Sequence, residues 1–292
     1  MTQSALRASR AAVLRSLLAR PELTVMPCCF DALSARLIEQ AGFPVTFMSG
    51  FAVSAARLGL PDTGLISYGE IVDQGRNICA ATTIPVIGDG DTGYGNPVNV
   101  KRTVRGYAQA GFAAVMIEDQ VWPKRCGHTR GKAVVERGEA VARVRAAADA
   151  RDEGADILIL ARTDARATDG LDEALRRIEA FAQAGADILF LEAPKSEAEM
   201  RAFCQATDRP TLANMVEQGE TPLLPPAVLQ EIGYSLAAYP LTLLSAAMKA
   251  MQDALAAFKA GRHPENLLDF ATLREAVGFN DYYAEEERYR SE

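Results

Sequence analysis

The feature that most constrains the fold is an alternation of short aliphatic runs with longer segments of helical periodicity. Eight runs have the length and the aliphatic or β-branched content of buried strands, and they lie at 23–26, 45–48, 85–88, 113–117, 157–160, 188–191, 211–213 and 235–238. Such runs, separated by amphipathic helices, are typical of βα units around a parallel sheet. Eight units are the number that closes a barrel, so the chain is predicted to be an α/β protein with a (β/α)₈ TIM barrel.

The segments between the runs complete this prediction. Helices are expected at 4–20, 31–41, 98–110, 140–151 and 171–185. The first of them carries four arginines among apolar residues and lacks the continuous apolar stretch of a signal peptide. Residues 1–292 are interpreted as one domain, in which 242–292 include a C-terminal helical extension rich in aromatic residues. A doubly wound open sheet is the alternative, which the strand count and the chain length disfavour.

Composition excludes several classes of function. A net charge of -7 argues against a nucleic-acid partner, because such binding needs a clustered excess of Lys and Arg. No apolar run reaches the roughly 20 residues that cross a bilayer, so no membrane partner is expected. The five cysteines show no CxxC spacing, which indicates free thiols and a cytoplasmic location.

Four carboxylates lie near the ends of predicted strands: Asp62, Asp89, Asp91 and Glu118. In a parallel barrel the carboxyl ends of the strands meet at one face, where the active site of this fold lies. Taken singly, each carboxylate is better explained as a solvated loop charge or a helix cap. Their convergence instead predicts a site for a hard cation, Mg²⁺ or alternatively Mn²⁺, held partly through waters.

The segment Lys124-Arg125-Cys126-Gly127-His128 is the sharper chemical signal. A thiol between two cations and a histidine is expected to have a lowered pKa and to transfer a proton near neutrality. Cys126 is therefore the candidate catalytic acid, whereas the other four cysteines lie in apolar or helical contexts and are interpreted as packing residues. The spacing does not fit zinc, because Cys126-x-His128 has no second pair of ligands at a suitable distance.

Three further polar residues stand at strand ends. Arg162 ends an aliphatic strand, where its charge requires a partner, and a bidentate contact to a substrate carboxylate is the expected one. An internal ion pair with Asp164 or Glu192 is the alternative. Glu192 and Asn214 occupy similar positions, and each taken alone has a structural explanation as well.

Together these segments resemble the isocitrate lyase and phosphoenolpyruvate mutase superfamily over nearly the whole chain. The segments that carry the resemblance are Met48-Ser49-Gly50, Leu58-Gly59-Leu60-Pro61-Asp62, Asp89-Gly90-Asp91-Thr92-Gly93-Tyr94-Gly95, Ile117-Glu118-Asp119-Gln120, Lys124-Arg125-Cys126-Gly127-His128, Ala161-Arg162-Thr163-Asp164 and Ala213-Asn214-Met215. The Lys-Arg-Cys-Gly-His segment is similar to the lyase branch, because the phosphonomutases lack the cysteine.

The resemblance implies roles for individual residues. Asp91 would bind Mg²⁺ directly, and its waters would be held by Asp62, Asp89 and Glu118. The substrate-binding residues would be Ser49, Gly50, Phe51, Gly127, His128, Arg162, Glu192 and Asn214. The amides around Ser49 and Gly50, with Arg162, would hold the 2-oxo acid half, and Gly127, His128 and Asn214 the other carboxylate. The implied reaction is a retro-aldol cleavage in which Cys126 protonates the departing carbanion.

One departure from the pattern of methylisocitrate lyases narrows the range of expected substrates. Methylisocitrate lyases have an arginine for a third carboxylate shortly after Tyr-Pro-Leu, but here Tyr239-Pro240-Leu241 is followed by no arginine until Arg262. A small 2-hydroxy dicarboxylate, 2,3-dimethylmalate or a 2-alkylmalate, is therefore the leading substrate, in a pocket lined by Phe47, Phe51 and Leu244. This reasoning would fail if Lys249, Arg130 or Lys132 supplied the cation for a third carboxylate.

Other functions remain as alternatives. The first is an oxaloacetate hydrolase that forms oxalate and acetate, and the second is a 2-methylisocitrate lyase. A phosphonomutase and a non-catalytic barrel that binds an organic acid are less favoured. The aromatic extension and the resemblance together predict a homotetramer in which a helix after the last strand is swapped onto a neighbouring subunit.

Overall fold

Parallel strands close into a barrel around a single axis. The computed structural model describes residues 8–128 and 131–290. Its strands are β1 (Thr24–Cys29), β2 (Thr46–Met48), β3 (Val86–Asp89), β4 (Ala114–Glu118), β5 (Leu158–Thr163), β6 (Ile188–Leu191), β7 (Thr211–Asn214) and β8 (Leu236–Tyr239). Each strand pairs in parallel with the next, and β8 returns to β1 with Leu236 opposite Thr24. The predicted (β/α)₈ barrel and all eight predicted strands are confirmed.

Helices alternate with the strands along the chain and follow the last strand. They are α1 (Arg10–Leu18), α2 (Ala32–Gln40), α3 (Gly50–Leu58), α4 (Tyr68–Ala81), α5 (Pro97–Ala110), α6 (Arg137–Asp152), α7 (Ala165–Thr168), α8 (Leu171–Gln183), α9 (Glu197–Gln205), α10 (Pro226–Ile232), α11 (Thr242–Lys259), α12 (Phe270–Ala276) and α13 (Phe279–Arg288). The predicted helices at 31–41, 98–110, 140–151 and 171–185 are confirmed. The one predicted at 4–20 is present from Arg10, and residues 1–7 lie outside the described residues.

Local sequence explains where these helices begin and end. Asp31 caps α2 by accepting a hydrogen bond from the Ser34 amide at 2.7 Å. Asn96 caps α5, and Pro97 follows at the first helical position, where its missing N–H costs nothing. Gly111 ends the same helix with φ 98°, a left-handed conformation that glycine adopts without strain.

The core is built by the two-residue periodicity of the strands. In β4 the side chains of Ala114 and Met116 join the cluster inside the barrel, whereas Val115 and Ile117 pack outward against the helices. The next inward position in this series is Glu118. Because side chains alternate between the two faces of a strand, this periodicity aims a carboxylate into the barrel at the carboxyl end of β4.

Several strands run further than the sequence indicated. β4 continues to Glu118 and β5 to Thr163, so Glu118 and Arg162 lie opposite each other within the sheet. Their side chains also approach each other, with Arg162 Nη1 3.4 Å from Glu118 Oε2. The charged side chains predicted at the strand ends are therefore part of the strands themselves.

The chain divides into two compact units, Met1–Leu243 and Leu244–Glu292. The first contains the barrel and the second contains most of α11 together with α12 and α13. The boundary lies two residues after the predicted start of the C-terminal extension. Across residues 8–128 and 131–290, no helix combines the length and apolar character needed to span a membrane.

Two glycines of α4 give a matched test of the packing between this helix and the barrel. A Cβ at Gly75 would lie 2.3 Å from the Phe112 ring, whereas a Cβ at Gly69 would meet only the Ser67 hydroxyl at 4.0 Å. Inserting a methyl group into a packed contact costs about 1–3 kcal/mol of stability. Replacing glycine by alanine inside a helix restores about 0.5–1 kcal/mol, because alanine loses less backbone entropy on folding. We expect Gly75→Ala to lower the free energy of unfolding by about 1–2 kcal/mol, measured by chemical denaturation.

Gly69→Ala is the control, because it makes the same change in the same helix without a close contact. It should leave the free energy of unfolding unchanged or raise it slightly. Equal stability of the Gly75→Ala and Gly69→Ala proteins would contradict the packing of Phe112 against α4.

Candidate active site

The candidate site is a cavity of about 160 Å³ at the carboxyl ends of the strands. Its polar lining consists of Ser49, Asp62, Asp89, Lys124, Cys126, Gly127, His128, Arg162, Glu192 and Asn214. Its apolar lining consists of Phe47, Phe51, Met116, Phe190, Leu212, Val216, Ala238, Pro240 and Leu241. The structure thus brings together ten of the thirteen predicted site residues. The other three contact lining residues: Gly50 contacts Asp89, Asp91 contacts Lys124, and Glu118 contacts Arg162.

Strand periodicity explains why these residues converge. Met116, Leu160 and Phe190 belong to the apolar interior of the barrel. Two residues further along β4 and β5 come Glu118 and Arg162, and two residues after Phe190 comes Glu192. The polar side chains therefore form the layer directly above the apolar interior, which is where a barrel binds its ligand.

Lys124 occupies the centre of the acidic side of the site. Its Nζ lies 2.6 Å from Asp62 Oδ1 and 2.8 Å from Asp91 Oδ1, and the side chain is only 3% exposed. The prediction treated this lysine as a cation beside the Cys126 thiol and assigned it no role of its own. The signal was present, because Lys124 belongs to the same motif, but the sequence could not show which anion it would reach.

Asp89 connects the acidic side to the start of α3. Its Oδ2 accepts a hydrogen bond from the Gly50 amide at 3.2 Å, and its Oδ1 accepts one from the Asp91 amide at 3.1 Å. Burial raises the pKa values of Asp89 and Asp91, an effect that Lys124 opposes. These buried carboxylates are therefore short of positive charge.

Ser49 and Gly50 are held by the protein itself. The Ser49 amide donates to the Cys29 carbonyl at 3.0 Å, and the Gly50 amide donates to Asp89. The two amides predicted to hold the 2-oxo acid thus have internal partners. The side chains of Ser49 and Phe51 line the cavity, and the Ser49 hydroxyl also accepts from the Ala52 amide at 3.3 Å, which caps α3.

The acidic side fits a hard cation bound mainly through water. Glu118 Oε1 is buried without a hydrogen-bond partner, and burial raises the pKa of this carboxyl well above its usual range. In the described ranges, no three His, Cys, Asp or Glu side chains approach closely enough to hold a metal ion by themselves. An all-oxygen set with few direct protein ligands is what Mg²⁺ prefers, since it keeps several of its waters.

Arg162 is the centre of the opposite side. It forms a bidentate pair with Asp164, with Nε 2.9 Å from Oδ2 and Nη2 3.0 Å from Oδ1. Nη2 also lies 3.0 Å from Glu192 Oε2, and Nη1 approaches Glu118. The internal ion pair considered as an alternative is therefore what the structure shows. Because Arg162 also lines the cavity, a contact with substrate stays a prediction.

Glu192 joins Arg162 to the other predicted carboxylate-binding residues. Its Oε1 lies 3.2 Å from His128 Nε2, and Asn214 Nδ2 donates to both of its oxygens at 3.3 and 3.4 Å. Burial opposes ionisation of Glu192, but Arg162 and His128 lower its pKa far below the usual range. Glu192 is thus a buried anion that aligns His128 and Asn214.

The loop after β4 carries Cys126 and is fixed at its base. Gln120 pairs with Val134 in an antiparallel bridge, and its side chain both accepts from the Arg125 amide at 2.9 Å and donates to the Arg125 carbonyl at 2.8 Å. A Cβ at Gly127 would lie 2.4 Å from Glu192 Oε2, so only glycine fits there. These contacts place Cys126 at the cavity wall.

The pKa of Cys126 is raised, not lowered as the motif suggested. Burial is the main cause, and it outweighs the hydrogen bond from the His128 amide and the attraction of Arg162. Lys124, expected to lower this pKa, is paired with Asp62 and Asp91. The thiol therefore stays protonated near neutrality, which suits a proton donor better than a nucleophile.

Comparison with known proteins shows which family the chain belongs to. The model of the family described as phosphoenolpyruvate phosphomutase matches residues 14–259. The chain belongs to the phosphoenolpyruvate mutase/isocitrate lyase superfamily. The resemblance inferred from the sequence motifs is therefore confirmed.

Individual members of the superfamily are similar over almost the whole chain. The 2,3-dimethylmalate lyase of Eubacterium barkeri is 45% identical over 271 residues, which cover 93% of each protein. A probable 2-methylisocitrate lyase of Corynebacterium glutamicum is 47% identical over 84% of this chain and 80% of its own. The structure of an oxaloacetate acetylhydrolase with the inhibitor 3,3-difluorooxalacetate superposes with a TM-score of 0.92, at 34% identity and 96% coverage of both chains.

Proposed function

We propose that this protein is a Mg²⁺-dependent carbon–carbon lyase that cleaves 2,3-dimethylmalate or a related 2-alkylmalate into a 2-oxo acid and a carboxylic acid. The observation that carries the proposal is a single cavity with carboxylates on one side, a protonated thiol beside them, and an apolar wall. Relatives named as lyases support carbon–carbon cleavage as the reaction class. Manganese is the alternative ion.

Asp91 is the proposed direct ligand of the metal, with Asp62, Asp89 and Glu118 holding its waters. When bound, Mg²⁺ would supply positive charge next to the oxygen that becomes the carbonyl of the 2-oxo acid. The orphaned oxygen of Glu118 and the raised pKa values of Asp89 and Asp91 support a cation at this place.

Cys126 is the proposed acid of the cleavage. A base removes the proton of the C2 hydroxyl, the C2–C3 bond breaks, and its electron pair remains on C3 beside the second carboxylate. The thiol then gives its proton to C3, so that 2,3-dimethylmalate yields pyruvate and propionate. Because the pKa of Cys126 is raised by burial, the thiol carries this proton when the carbanion forms.

The apolar wall supports a substrate with alkyl substituents. Phe47, Phe51, Phe190 and Leu212 face the cavity, and their side chains offer no hydrogen bond to a hydroxyl or a carboxylate. A methyl group gains from burial there, whereas the extra hydroxyl of a hydrated oxaloacetate would lose its water partners. This contrast favours the alkylmalate over the oxaloacetate hydrolase alternative.

The deciding experiment offers four acids in parallel to the Mg²⁺-loaded protein: 2,3-dimethylmalate, 2-methylmalate, oxaloacetate and 2-methylisocitrate. Products are identified by chromatography and mass spectrometry, because loss of substrate alone does not separate the reactions. Pyruvate with propionate from 2,3-dimethylmalate is the expected result. Oxalate and acetate from oxaloacetate alone would replace the proposal with the hydrolase.

Cys126→Ser should remove most turnover and leave substrate binding nearly unchanged. A hydroxyl is similar in size but a far weaker acid, and general acid catalysis is typically worth about 10²- to 10⁴-fold. The measurement is kcat at saturating substrate, with binding followed by calorimetry. Cys204→Ser, the same exchange at a partly buried site on α9, is the control and should keep full activity. If the kcat of Cys126→Ser lay within about twofold of the wild-type value, Cys126 would be a packing residue and not the catalytic acid.

Asp91→Ala should abolish activation by Mg²⁺, whereas Asp62→Ala should only weaken it. Each variant removes one carboxylate partner of Lys124, so both lose one ion pair. The difference in Mg²⁺ activation between the two variants therefore reports the loss of the direct metal ligand. Activity and calorimetric affinity are measured against Mg²⁺ concentration. Wild-type metal affinity in Asp91→Ala would exclude the assignment.

The protein should prefer 2,3-dimethylmalate to 2-methylisocitrate by about 10²-fold or more in kcat/KM. A third carboxylate would be buried without a counter-charge, which costs several kcal/mol. The lining cations Lys124 and Arg162 are already paired, Lys132 bonds Asp164 and the Gly127 carbonyl, and Lys249 bonds Asp253. Arg130 lies outside the described residues, and the prediction that Leu244 lines the pocket stays a prediction.

The converse variant is Ser245→Arg, which places a cation after Tyr239-Pro240-Leu241, where methylisocitrate lyases have theirs. It should raise kcat/KM for 2-methylisocitrate and not for 2,3-dimethylmalate. A wild-type preference for 2-methylisocitrate would make that lyase the better description of the chain.

We also propose a cytoplasmic homotetramer in which the C-terminal helices bind a neighbouring subunit. Within the described residues of α12 and α13 none is buried, and Leu255, Phe258, Phe270 and Tyr282 are among the exposed apolar side chains of the second unit. Surfaces of this kind usually contact another chain. Sedimentation at low micromolar concentration should show tetramer, and a stable, active monomer would refute the assembly. No disulfide is formed among the cysteines of the described residues, which supports the location.

A further inference from the structure

His128 is contacted on both of its ring nitrogens by groups from two different loops. Nδ1 accepts a hydrogen bond from the Glu220 amide at 3.2 Å, and Nε2 lies 3.2 Å from Glu192 Oε1. Glu220 lies between β7 and α10, 92 residues from His128 in the chain. The loop after β7 therefore reaches the imidazole from the side away from Glu192.

These two partners define the tautomer of the ring. An amide N–H can only donate, so Nδ1 must present its lone pair and carry no hydrogen. The hydrogen of the neutral ring then lies on Nε2, which points at the carboxylate of Glu192, an acceptor. Asn214 Nδ2 also lies 3.4 Å from Nε2, and because both nitrogens then carry hydrogen, the hydrogen bond of Asn214 goes to Glu192. The Glu220 contact therefore assigns the hydrogen to Nε2, where Glu192 can accept it.

Gly219 makes this contact sterically available. A Cβ at Gly219 would lie 2.8 Å from His128 Nδ1 and 3.0 Å from Val216 Cβ, so any side chain would push the loop and the imidazole apart. Its neighbour Gln218 has φ 62°, a left-handed turn conformation. The close approach therefore depends on a glycine, and nothing in the motif around His128 indicated it.

We propose that the backbone of Gly219 and Glu220 is a positioning element that fixes His128 as the neutral Nε2–H tautomer, so that its single ring hydrogen is shared between Glu192 and the substrate carboxylate and Nε2 cannot accept a proton. This inference rests on the proposed function, in which His128 receives that carboxylate. It removes His128 from the candidates for the base that takes the hydroxyl proton. It also means that Gly219 and Glu220 affect substrate binding through His128 and not by contacting the substrate.

The tautomer can be read directly, because the chain has only two histidines, His128 and His263. The Mg²⁺-loaded full-length protein is labelled with ¹⁵N in histidine alone, and long-range ¹H–¹⁵N correlations are recorded in alkaline buffer, with His263→Gln used for assignment. Wild type should show Nε2 protonated and Nδ1 unprotonated at His128. A protonated Nδ1 in the wild-type protein would overturn the inference.

Two variants remove the positioning contact in different ways. Gly219→Ala displaces the loop from the ring, and Glu220→Pro deletes the donor N–H. If one of these variants does not fold, the other still tests the contact. Both should give a mixture of tautomers at His128 and raise KM for 2,3-dimethylmalate about tenfold or more, since a hydrogen bond to a charged group contributes roughly that factor. The kcat value should change by less than about threefold.

Gly138→Ala is the matched control for Gly219→Ala, because an added Cβ there would meet no neighbouring atom within 4 Å, and it should change neither the spectrum nor KM. Unchanged tautomer and KM in both loop variants would refute the positioning role. A loss of kcat with unchanged KM would refute it as well, since it would place the loop in the chemical step. A wild type that cleaves none of the four acids but shows the expected tautomer, lost in Gly219→Ala, would contradict the proposed function alone.

Discussion

The buried guanidinium of Arg162 is the interaction on which the rest of the site depends. It binds Asp164 through two nitrogens and contacts Glu192 and Glu118, so it neutralises anions from three strands or strand ends. Glu192 in turn aligns His128 and Asn214. Removing one partner of a buried ion pair typically costs about 3–5 kcal/mol. The position of Arg162 at the inward end of β5 therefore determines where every group on this side of the cavity lies.

The distribution of charge supports the proposal that the site binds a divalent cation together with a dicarboxylate substrate. Lys124 and Arg162 are the central cations of the cavity, and both are already bound by carboxylates of the protein. A dicarboxylate entering this cavity finds no unpaired positive charge on the described Lys and Arg side chains that line it. In the proposed function a divalent ion would supply the missing positive charge, which would couple the binding of metal and substrate in one electrostatic balance.

Much of this site could be predicted from the sequence, because strand periodicity is local. The aliphatic alternation that ends in Glu118, Arg162 or Glu192 indicates both the barrel and the layer of polar groups above its core. The partner of Lys124 and the direction of the Cys126 pKa could not be predicted, since both depend on which distant carboxylates a loop reaches and how deeply it is buried. The contact of the Glu220 amide with His128 was missed because backbone donors leave no mark in the sequence.

The loop after β4 joins the two sides of the cavity, and this explains the position of Cys126. Lys124 is anchored to Asp62 and Asp91 on the acidic side, whereas Gly127 packs against Glu192 and His128 bonds to it on the other. Only one residue, Arg125, separates the first anchor from the cysteine, so the thiol has little freedom to move. A proton donor held in this way loses little entropy when the carbanion forms. The two sides of the site thus define the position of the Cys126 thiol together. A change on either side would shift the sulfur.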